Sequence, residues 1–250
     1  MSIARNGPRP DQAGTPETSW VGGRQERLPE LRLQAHRRAV LVSPHPDDEV
    51  LAAGGLMQRL ASSGTQLTVI AVTDGEASHP HSPTTTPMVL ADRRAQELRQ
   101  AFHFLELGET AVVRLALPDG AVAENTDELA ACLGALLGPD VICIAPWERD
   151  GHPDHDASGR AAAVACAATG ARFLSSLVWT WHWAEPDDHR IPWSRARRLP
   201  LSRLELTRKR WATRAFRSQI APLSGLPGDE AILPPNVLVR FDRPYEVFLA

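Results

Sequence analysis

Residues 38–57 read RAVLVSPHPDDEVLAAGGLM, and this stretch decides the fold that the sequence predicts. The mostly apolar residues 38–42 indicate a short buried strand. From Val50 onward the composition is that of a helix, which we expect to stop at Gly64. The polar residues between the two elements therefore follow the carboxyl end of a strand. Open α/β sheets bind their ligands at that edge.

A second segment repeats this design. Residues 150–156 read DGHPDHD and follow an apolar stretch, residues 141–145, that predicts another strand. An alanine-rich helical pattern at about residues 155–168 comes next. Histidine and acids thus occupy the turn between a strand and a helix at two places in the chain. We expect the two turns to meet around one metal ion.

The alternation of strands and helices predicts an α/β fold with a doubly wound, mostly parallel sheet flanked by helices. The metal site is expected at the C-terminal ends of the strands. The further predicted strands are residues 66–73 and 112–117, and the further predicted helices are residues 89–107 and 128–137.

The alternation of strands and helices is less regular towards the C-terminus. Residues 173–183 predict a strand that carries Trp179, Trp181 and Trp183 on one face. Sugars stack on tryptophan, so this row could form a substrate platform, although packing in a core is the commoner role. The last predicted segments are a polar loop over residues 185–200, a helix over residues 202–219 and one or two strands within residues 237–249.

Two regions lack the pattern of a core. Residues 1–36 are rich in Pro, Gly, Gln and Arg without an apolar period, which predicts a mobile N-terminal arm, with partial docking on the domain as the alternative. The loop with His79 and His81 is expected to be solvated, because nothing in the sequence fixes either ring, and a lid is the alternative. Residues 37–250 are expected to form a single domain, because a chain of 250 residues suffices for one large α/β core.

Composition narrows the class of protein. A hydrophobic content of 43% and a net charge of -3 are ordinary for a soluble protein and give no basic excess for a nucleic-acid partner. The three cysteines lie in apolar runs without CxxC spacing, which predicts buried thiols in a reducing compartment. No stretch has the pattern of a signal peptide or a membrane span. We therefore expect a cytoplasmic protein with no membrane partner, and the oligomeric state stays open, a homo-oligomer included.

His45, Asp48 and His155 are the expected metal ligands. His45 and Asp48 are three residues apart across a tight turn, and His155 begins a helix after another strand. Two histidines and one carboxylate leave an open position on a tetrahedral ion, as in catalytic zinc sites, whereas structural zinc sites favour cysteine. One zinc ion per chain is expected, with iron or cobalt as substitutes. Such an ion lowers the pKa of its bound water to about 7 and polarises a carbonyl oxygen.

The remaining polar residues of the two turns have the chemistry of hydrolysis. Asp47 would be redundant as a ligand, and a free carboxylate beside a metal-bound water is what a general base requires. His152 is placed to donate a proton or a hydrogen bond to an oxyanion or a leaving amine. Asp154 could hold the His152 imidazole in the required tautomer. Together these groups predict the hydrolysis of an amide or ester.

Two other classes of function remain open. A two-histidine, one-carboxylate iron oxygenase has the same ligand set, although the parallel α/β pattern and the spare base Asp47 do not favour it. A sugar-binding module without activity would require neither a metal nor Asp47.

The sequence resembles the LmbE-like, or PIG-L, family of zinc-dependent N-deacetylases over about residues 38–250. The family's first motif, (A/S)-H-P-D-D-E, is matched by Ser43 and residues 45–49 with Pro44 intervening, and its second, H-P-D-H, by residues 152–155. Weaker matches are residues 73–76, Arg94 with Glu97, residues 118–120, and Lys209 through residues 217–219.

The resemblance implies a Rossmann-like domain that removes an acetyl or other acyl group from an amino sugar, commonly an N-acetylglucosaminyl one. By position it implies zinc ligation by His45, Asp48 and His155, and Asp47 as the base. It also implies that His152 assists as an acid or oxyanion partner, aided by Asp154.

The resemblance says less about the substrate. Arg94 matches a family arginine that contacts substrate, although it could equally be an arginine on a helix surface. Asp119 could bind sugar hydroxyls or form an Asp-Gly turn. Some members that act on mycothiol-type substrates carry tyrosine where this chain has Asp150, which argues against that subset. An amidase for a larger thiol-conjugate or antibiotic-like substrate is the alternative hydrolase.

Overall fold

The computed structural model describes residues 13–250. Within them, seven strands form one sheet in the order β3-β2-β1-β4-β5-β7-β6. Strands β1 to β5 pair in parallel, and β7 is antiparallel to both β5 and β6. The strands are β1 Arg38–Ser43, β2 Gln66–Thr73, β3 Ala111–Leu117, β4 Val141–Pro146, β5 Arg172–Ser176, β6 Ala196–Pro200 and β7 Tyr245–Leu249. The predicted doubly wound, mostly parallel α/β sheet is confirmed.

Helices cover both faces of this sheet. The α-helices are α1 Glu17–Trp20, α2 Asp48–Ser62, α3 Pro87–Phe104, α4 Thr126–Leu136, α5 Pro153–Thr169, α6 Thr180–Trp183, α7 Arg203–Thr213, α8 Arg217–Ile220 and α9 Pro235–Leu238. Three short 3₁₀ segments, Arg24–Arg27, Val122–Glu124 and Val239–Phe241, complete the regular structure of residues 13–250.

The two faces follow from the alternation of side chains along β1. Ala39 and Leu41 belong to a core cluster shared with α2, α3 and α7, whereas Val40 and Val42 belong to one shared with α4 and α5. A strand buried on both faces reads as a continuous apolar run, which is why β1, β2 and β4 could be located from sequence.

Residues 13–36 pack against the domain, which is the docked alternative for this part of the predicted arm. Trp20 is fully buried, and its ring meets that of Trp181 edge-on with centroids 5.1 Å apart. Glu17 forms a bidentate ion pair with Arg243 at 2.6 and 2.7 Å. Residues 1–12 of the predicted arm lie outside the described residues.

The region after β5 also differs from the prediction. The strand ends at Ser176, and a helical turn, α6, follows, so the three tryptophans do not share a strand face. The carboxylate of Asp150 accepts the consecutive N–H groups of residues 178–180, and this bends the chain out of the extended conformation. The loop predicted over residues 185–200 contains β6, and the helix predicted over residues 202–219 divides into α7 and α8. Within residues 237–249, only residues 245–249 form a strand.

The topology places the two polar turns side by side. β1 and β4 are parallel neighbours, with Leu41 beside Ile144, so their carboxyl ends lie at the same edge. The chain winds outward from this pair in both directions, which opens a crevice between the loops that follow the two strands. None of the helices within residues 13–250 is long and apolar enough to cross a membrane.

Glu246 of β7 connects the last strand to two helices. Its side chain is almost fully buried, and its oxygens accept the Gly55 and Leu56 N–H groups at 2.7 and 2.9 Å. The ammonium of Lys209, equally buried, donates to the same carboxylate at 2.8 Å. This contact fixes α2, the helix that begins at Asp48, against α7 and the sheet.

We expect Glu246→Ala to lower the free energy of unfolding by about 3–5 kcal/mol, because it leaves the Lys209 charge buried without its partner. Asp242→Ala is the matched control, since it removes the partner of Arg210 from a half-exposed pair and should cost less than about 1 kcal/mol. Urea denaturation of both variants measures the difference. Equal losses would contradict a structural role for the buried pair.

Candidate metal centre

The turn between β1 and α2 is held by its own side chains. The Ser43 hydroxyl is 2.5 Å from a Glu49 carboxylate oxygen, and the Pro44 carbonyl accepts the Thr73 N–H and hydroxyl. Asp47 has a φ of 151°, a conformation that residues with side chains rarely adopt. Backbone strain of this kind persists where the surrounding structure imposes it, often at functional sites.

Three predicted ligand atoms converge at this turn. Asp48 Oδ2 lies 3.3 Å from His45 Nδ1 and 3.2 Å from His155 Nε2, and the two nitrogens are 3.3 Å apart. For ligand bonds of about 2.0–2.1 Å, the edge of a tetrahedron around zinc is about 3.3 Å. The three atoms are therefore spaced as three corners of such a site.

His152 lies beside these ligands. Its ring centroid is 4.8 Å from that of His45 and 5.1 Å from that of His155, and the three imidazoles form a group that could hold a metal ion. Burial, followed by the charge of the neighbouring imidazoles, lowers the pKa of His152 to about 3. Its Nδ1 accepts the Asp154 N–H, so the neutral ring carries its proton on Nε2.

Asp150, which the sequence analysis noted only as a replacement for tyrosine, holds His155. Its buried carboxylate is 2.9 Å from His155 Nδ1 and accepts the Thr180 hydroxyl at 2.6 Å. Burial alone would raise the pKa of Asp150, but these hydrogen bonds hold it below the usual value. The bond to Nδ1 directs Nε2 of His155 towards Asp48. The sequence signal for this role of Asp150 is an acid that lies five residues before a predicted ligand histidine and shortly after a predicted strand.

His45 is oriented in the same way by two other acids. Its Nε2 lies 3.2 Å from both Asp119 Oδ1 and Asp154 Oδ2, which leaves Nδ1 facing Asp48. Asp154 was predicted to hold the tautomer of His152, and its backbone N–H does bind His152 Nδ1 at 3.3 Å, whereas its carboxylate accepts from His45 and from the Gly120 N–H at 2.8 Å. His152 caps the start of α5, and this position turns the Asp154 side chain towards the loop after β3.

Asp119 was predicted to bind substrate. Its side chain is only 10% exposed and also accepts the Ala77 N–H at 2.9 Å. Asp119, Asp154 and His45 form a second group that could hold a metal ion. Both carboxylates face His45 Nε2, the ring nitrogen opposite the one that faces Asp48 and His155, so we assign them to the support of His45.

Arg94 is neither on the helix surface nor open to solvent. It is 2% exposed, and its guanidinium donates to Asp47 Oδ2 at 3.1 Å and to the Pro46 and Gly75 carbonyls at 2.9 Å. A Cβ on Gly75 would come within 1.8 Å of this guanidinium, so only glycine fits there. Burial raises the pKa of Asp47 to about 7, although the Arg94 charge opposes this rise.

The charge balance of the site favours a bound cation. Five carboxylates surround the three imidazoles, from Asp47, Asp48, Asp119, Asp150 and Asp154. Burial would lower the pKa of His155, but the facing acids, Asp48 first, raise it to about 9. Burial would also raise the pKa of Asp48, but His155 and His45 hold it well below the usual range. The donor set and its charge therefore fit a divalent metal ion.

Comparison with known proteins decides the family. Residues 40–166, just over half of the chain, match the PIG-L family, described as GlcNAc-PI de-N-acetylase. The chain belongs to the PIG-L family. The resemblance predicted from the two motifs is thus confirmed.

Curated relatives of this PIG-L chain are deacetylases. The 1D-myo-inositol 2-acetamido-2-deoxy-alpha-D-glucopyranoside deacetylase of Actinosynnema mirum is 31% identical over 56% of the chain and 58% of the relative. The diacetylchitobiose deacetylase of Thermococcus kodakarensis is 27% identical over 49% of the chain and 46% of the relative. The chain spans about half the length of the curated relatives it matches.

Solved structures show the same fold. A conserved protein of Thermus thermophilus superposes with a TM-score of 0.60 at 22% identity, over 85% of the chain and 93% of that protein. The N,N'-diacetylchitobiose deacetylase of Pyrococcus horikoshii gives a TM-score of 0.55 at 19% identity, over 72% of the chain and 70% of that enzyme.

In this PIG-L chain, we expect Asp150→Asn to weaken zinc binding about 10- to 100-fold, because the carboxylate that orients His155 is lost. Asp156→Asn is the control, since the Asp156 carboxylate accepts the Gly151 N–H at 3.0 Å in the same turn. Competition with a chelating dye measures both affinities. If the two variants bind zinc equally well, Asp150 does not support the metal site.

Proposed function

We propose that this chain is a zinc-dependent N-deacetylase that removes an acetyl group, or another acyl group, from an amino sugar or its glycoside. The observation that carries the proposal is the convergence of three ligand atoms within 3.2–3.3 Å of one another, beside a buried carboxylate that is not one of them. The names of the relatives support the substrate class, since they specify acetamido sugars and diacetylchitobiose.

His45, Asp48 and His155 would hold the ion. When bound, zinc supplies polarisation of the amide carbonyl and lowers the pKa of a water molecule. The chain contributes the orientation of the ligands, because Asp150 fixes one imidazole and Asp119 with Asp154 fixes the other.

Asp47 is the proposed general base. Arg94 holds its Oδ2 at 3.1 Å, and we assign proton abstraction from the attacking water to Oδ1. The strained backbone of Asp47 and the buried Arg94 together fix the carboxylate at the start of α2, next to the ligand Asp48. A base held in this way needs no side-chain reorganisation before it accepts the proton.

His152 is the proposed oxyanion partner. Its Nε2–H can stabilise the oxyanion by a hydrogen bond, and the proton that Asp47 takes from the attacking water can pass to the leaving amine, because a neutral imidazole does not give up its only proton. Trp179 supports the ring from the other side, since the two rings stack with centroids 6.2 Å apart.

The remaining assignments are proposals of the same kind. The contacts of Arg94 and Asp119 favour positioning of Asp47 and His45, and direct contact of either residue with substrate stays a prediction. The cytoplasmic location, the single domain over residues 37–250 and the oligomeric state stay predictions as well.

We expect Asp47→Ala to retain bound zinc but to lose most of its turnover, about 10²- to 10⁴-fold, because the general base is removed. His45→Ala and His155→Ala should instead lose the metal. Metal analysis after dialysis, paired with kinetic assay of each variant, separates the two effects. Full activity in Asp47→Ala would show that the base is another residue.

Metal removal tests the reaction class. We expect the purified chain to release free amine from N-acetylglucosaminides, a chelator to abolish this release, and added zinc to restore it. A fluorogenic amine reagent measures the rate. Turnover that requires iron, oxygen and a 2-oxo acid would point to the oxygenase, and sugar binding without amine release would point to a binding module.

A further inference from the structure

A small cavity of about 20 Å³ lies between α2, α7, the chain after β5 and residues 240–247. Sites for organic ligands have volumes of about 300–1,000 Å³, so this cavity is too small for a sugar but has room for a water molecule or a single small ion. Four of the residues that line it are charged and buried, namely Lys209, Arg240, Arg243 and Glu246. A polar cavity of this kind is occupied, whereas apolar cavities can stay empty.

Two of the three cations have a carboxylate partner. The Lys209 ammonium donates to Glu246 at 2.8 Å. The Arg243 guanidinium forms a bidentate pair with Glu17 at 2.6 and 2.7 Å, and its carbon lies 4.4 Å from the ring centroid of Trp181. Each of these two charges is therefore compensated by one acid next to it.

Arg240 has no carboxylate partner among residues 13–250. Only 2% of its surface is exposed, and its Nε and Nη2 donate to the neutral Thr15 carbonyl at 3.3 and 2.7 Å. Its Nη1 is buried without a hydrogen-bond partner in the described part of the chain. In a planar guanidinium, Nη1 lies on the edge away from the pair formed by Nε and Nη2. Arg240 lines the cavity and Thr15 does not, so we place Nη1 at the cavity wall.

The charges around the cavity do not balance. Lys209, Arg240 and Arg243 carry three positive charges against two negative charges on Glu17 and Glu246, which leaves one positive charge. Burial lowers the pKa of Arg240, Glu17 opposes this effect and the Arg243 charge adds to it. Arginine nevertheless stays protonated in proteins, so its buried charge has to be compensated by another group. A water molecule cannot compensate it, whereas an anion of single charge can.

We propose that the cavity binds one small monovalent anion, a halide such as chloride, between Arg240 and Lys209. Because the cavity is so small, an ion inside it lies close to every residue that lines it. Arg240 Nη1 is the first donor. The Lys209 ammonium is the second, since it has three protons to donate and Glu246 is its only hydrogen-bond acceptor among residues 13–250. The anion site is independent of the proposed deacetylation.

The anion would brace the helix that carries a ligand of the candidate metal centre. Leu51 and Ala52, which line one side of the cavity, lie about one helical turn after Asp48 in α2. Lys209 belongs to α7, so the ion joins α2, α7 and the 3₁₀ segment that contains Arg240. We therefore expect the ion to stabilise the folded chain.

A crystal structure with bromide locates the ion directly. Crystals of the full chain with zinc are grown in sodium bromide, and anomalous data are collected at the bromine edge. We expect an anomalous peak inside the cavity, next to Arg240 and Lys209. A cavity without such a peak holds only water, and this result would overturn the proposal.

Thermal unfolding tests the charge of Arg240. Sodium chloride is compared with sodium gluconate at equal ionic strength, because gluconate is too large for the cavity. Chloride should raise the unfolding midpoint of the unmodified chain by about 2–4 °C relative to gluconate, as expected at several times the dissociation constant of the ion. Arg240→Gln should lose this difference. Arg190→Gln is the control and should keep it, since the Arg190 charge is exposed and already paired with Asp188.

The two variants also separate the cavity from the metal centre. A halide bound to the zinc ion stabilises Arg240→Gln and Arg190→Gln alike, so only the difference between the variants reports on the cavity. An equal response to chloride in both variants would contradict the proposal. If Arg240→Gln does not fold, the presence or absence of the bromide peak in the unmodified chain decides the question.

Discussion

The bond between Asp150 and His155 is the contact on which the candidate metal centre depends. Asp150 Oδ2 lies 2.9 Å from His155 Nδ1 and fixes the imidazole. The same carboxylate accepts hydrogen bonds from three consecutive N–H groups of the turn after β5. One buried acid therefore joins the end of β4, the first turn of α5 and the chain beyond β5. The N-terminal segment packs on that turn from outside through Trp20 and Trp181. The position of a ligand histidine thus depends on residues far away in the sequence.

Charge explains the rest of the site. Most of the carboxylates around the imidazoles are buried where water cannot screen them, so they favour positive charge between them, from a bound cation or from protonated imidazoles. Backbone N–H groups neutralise part of the charge on Asp150 and Asp154, and Arg94 compensates Asp47. Asp48 Oδ2 accepts the His45 N–H at 3.0 Å and lies within 3.2–3.3 Å of the His45 and His155 imidazoles, an arrangement that a divalent ion would complete.

The fold and the meeting of the two polar turns could be predicted because they follow from local sequence. The strands of a parallel sheet read as apolar runs, and the residues 66–73 predicted for the second strand are those observed. Each of the two polar turns follows such a run, so their convergence needed only the rule that parallel strands end at one edge. One side-chain atom each of His45, Asp48 and His155 then lies within 3.3 Å of the other two, and their role as metal ligands stays a prediction.

The errors arose where distant contacts override local pattern. The N–H groups of residues 178–180 donate to the Asp150 carboxylate, so the segment predicted as a tryptophan-bearing strand forms a helical turn. No periodicity in the sequence indicates these hydrogen bonds. β6 is missed because it is an edge strand of only five residues with two arginines. Trp20 anchors the N-terminal segment as a single apolar residue without a repeat, and Arg94 gives no sign in the sequence that its guanidinium is buried.

The most direct test of the account is a crystal structure of the zinc-loaded chain, with anomalous data collected at the zinc edge. The account predicts one strong peak bound by His45 Nδ1, Asp48 and His155 Nε2, with Asp47 close by and not coordinated. A peak bound instead by His45 Nε2, Asp119 and Asp154, or one that includes His152 as a ligand in place of Asp48, would contradict the ligand set and the roles derived from it.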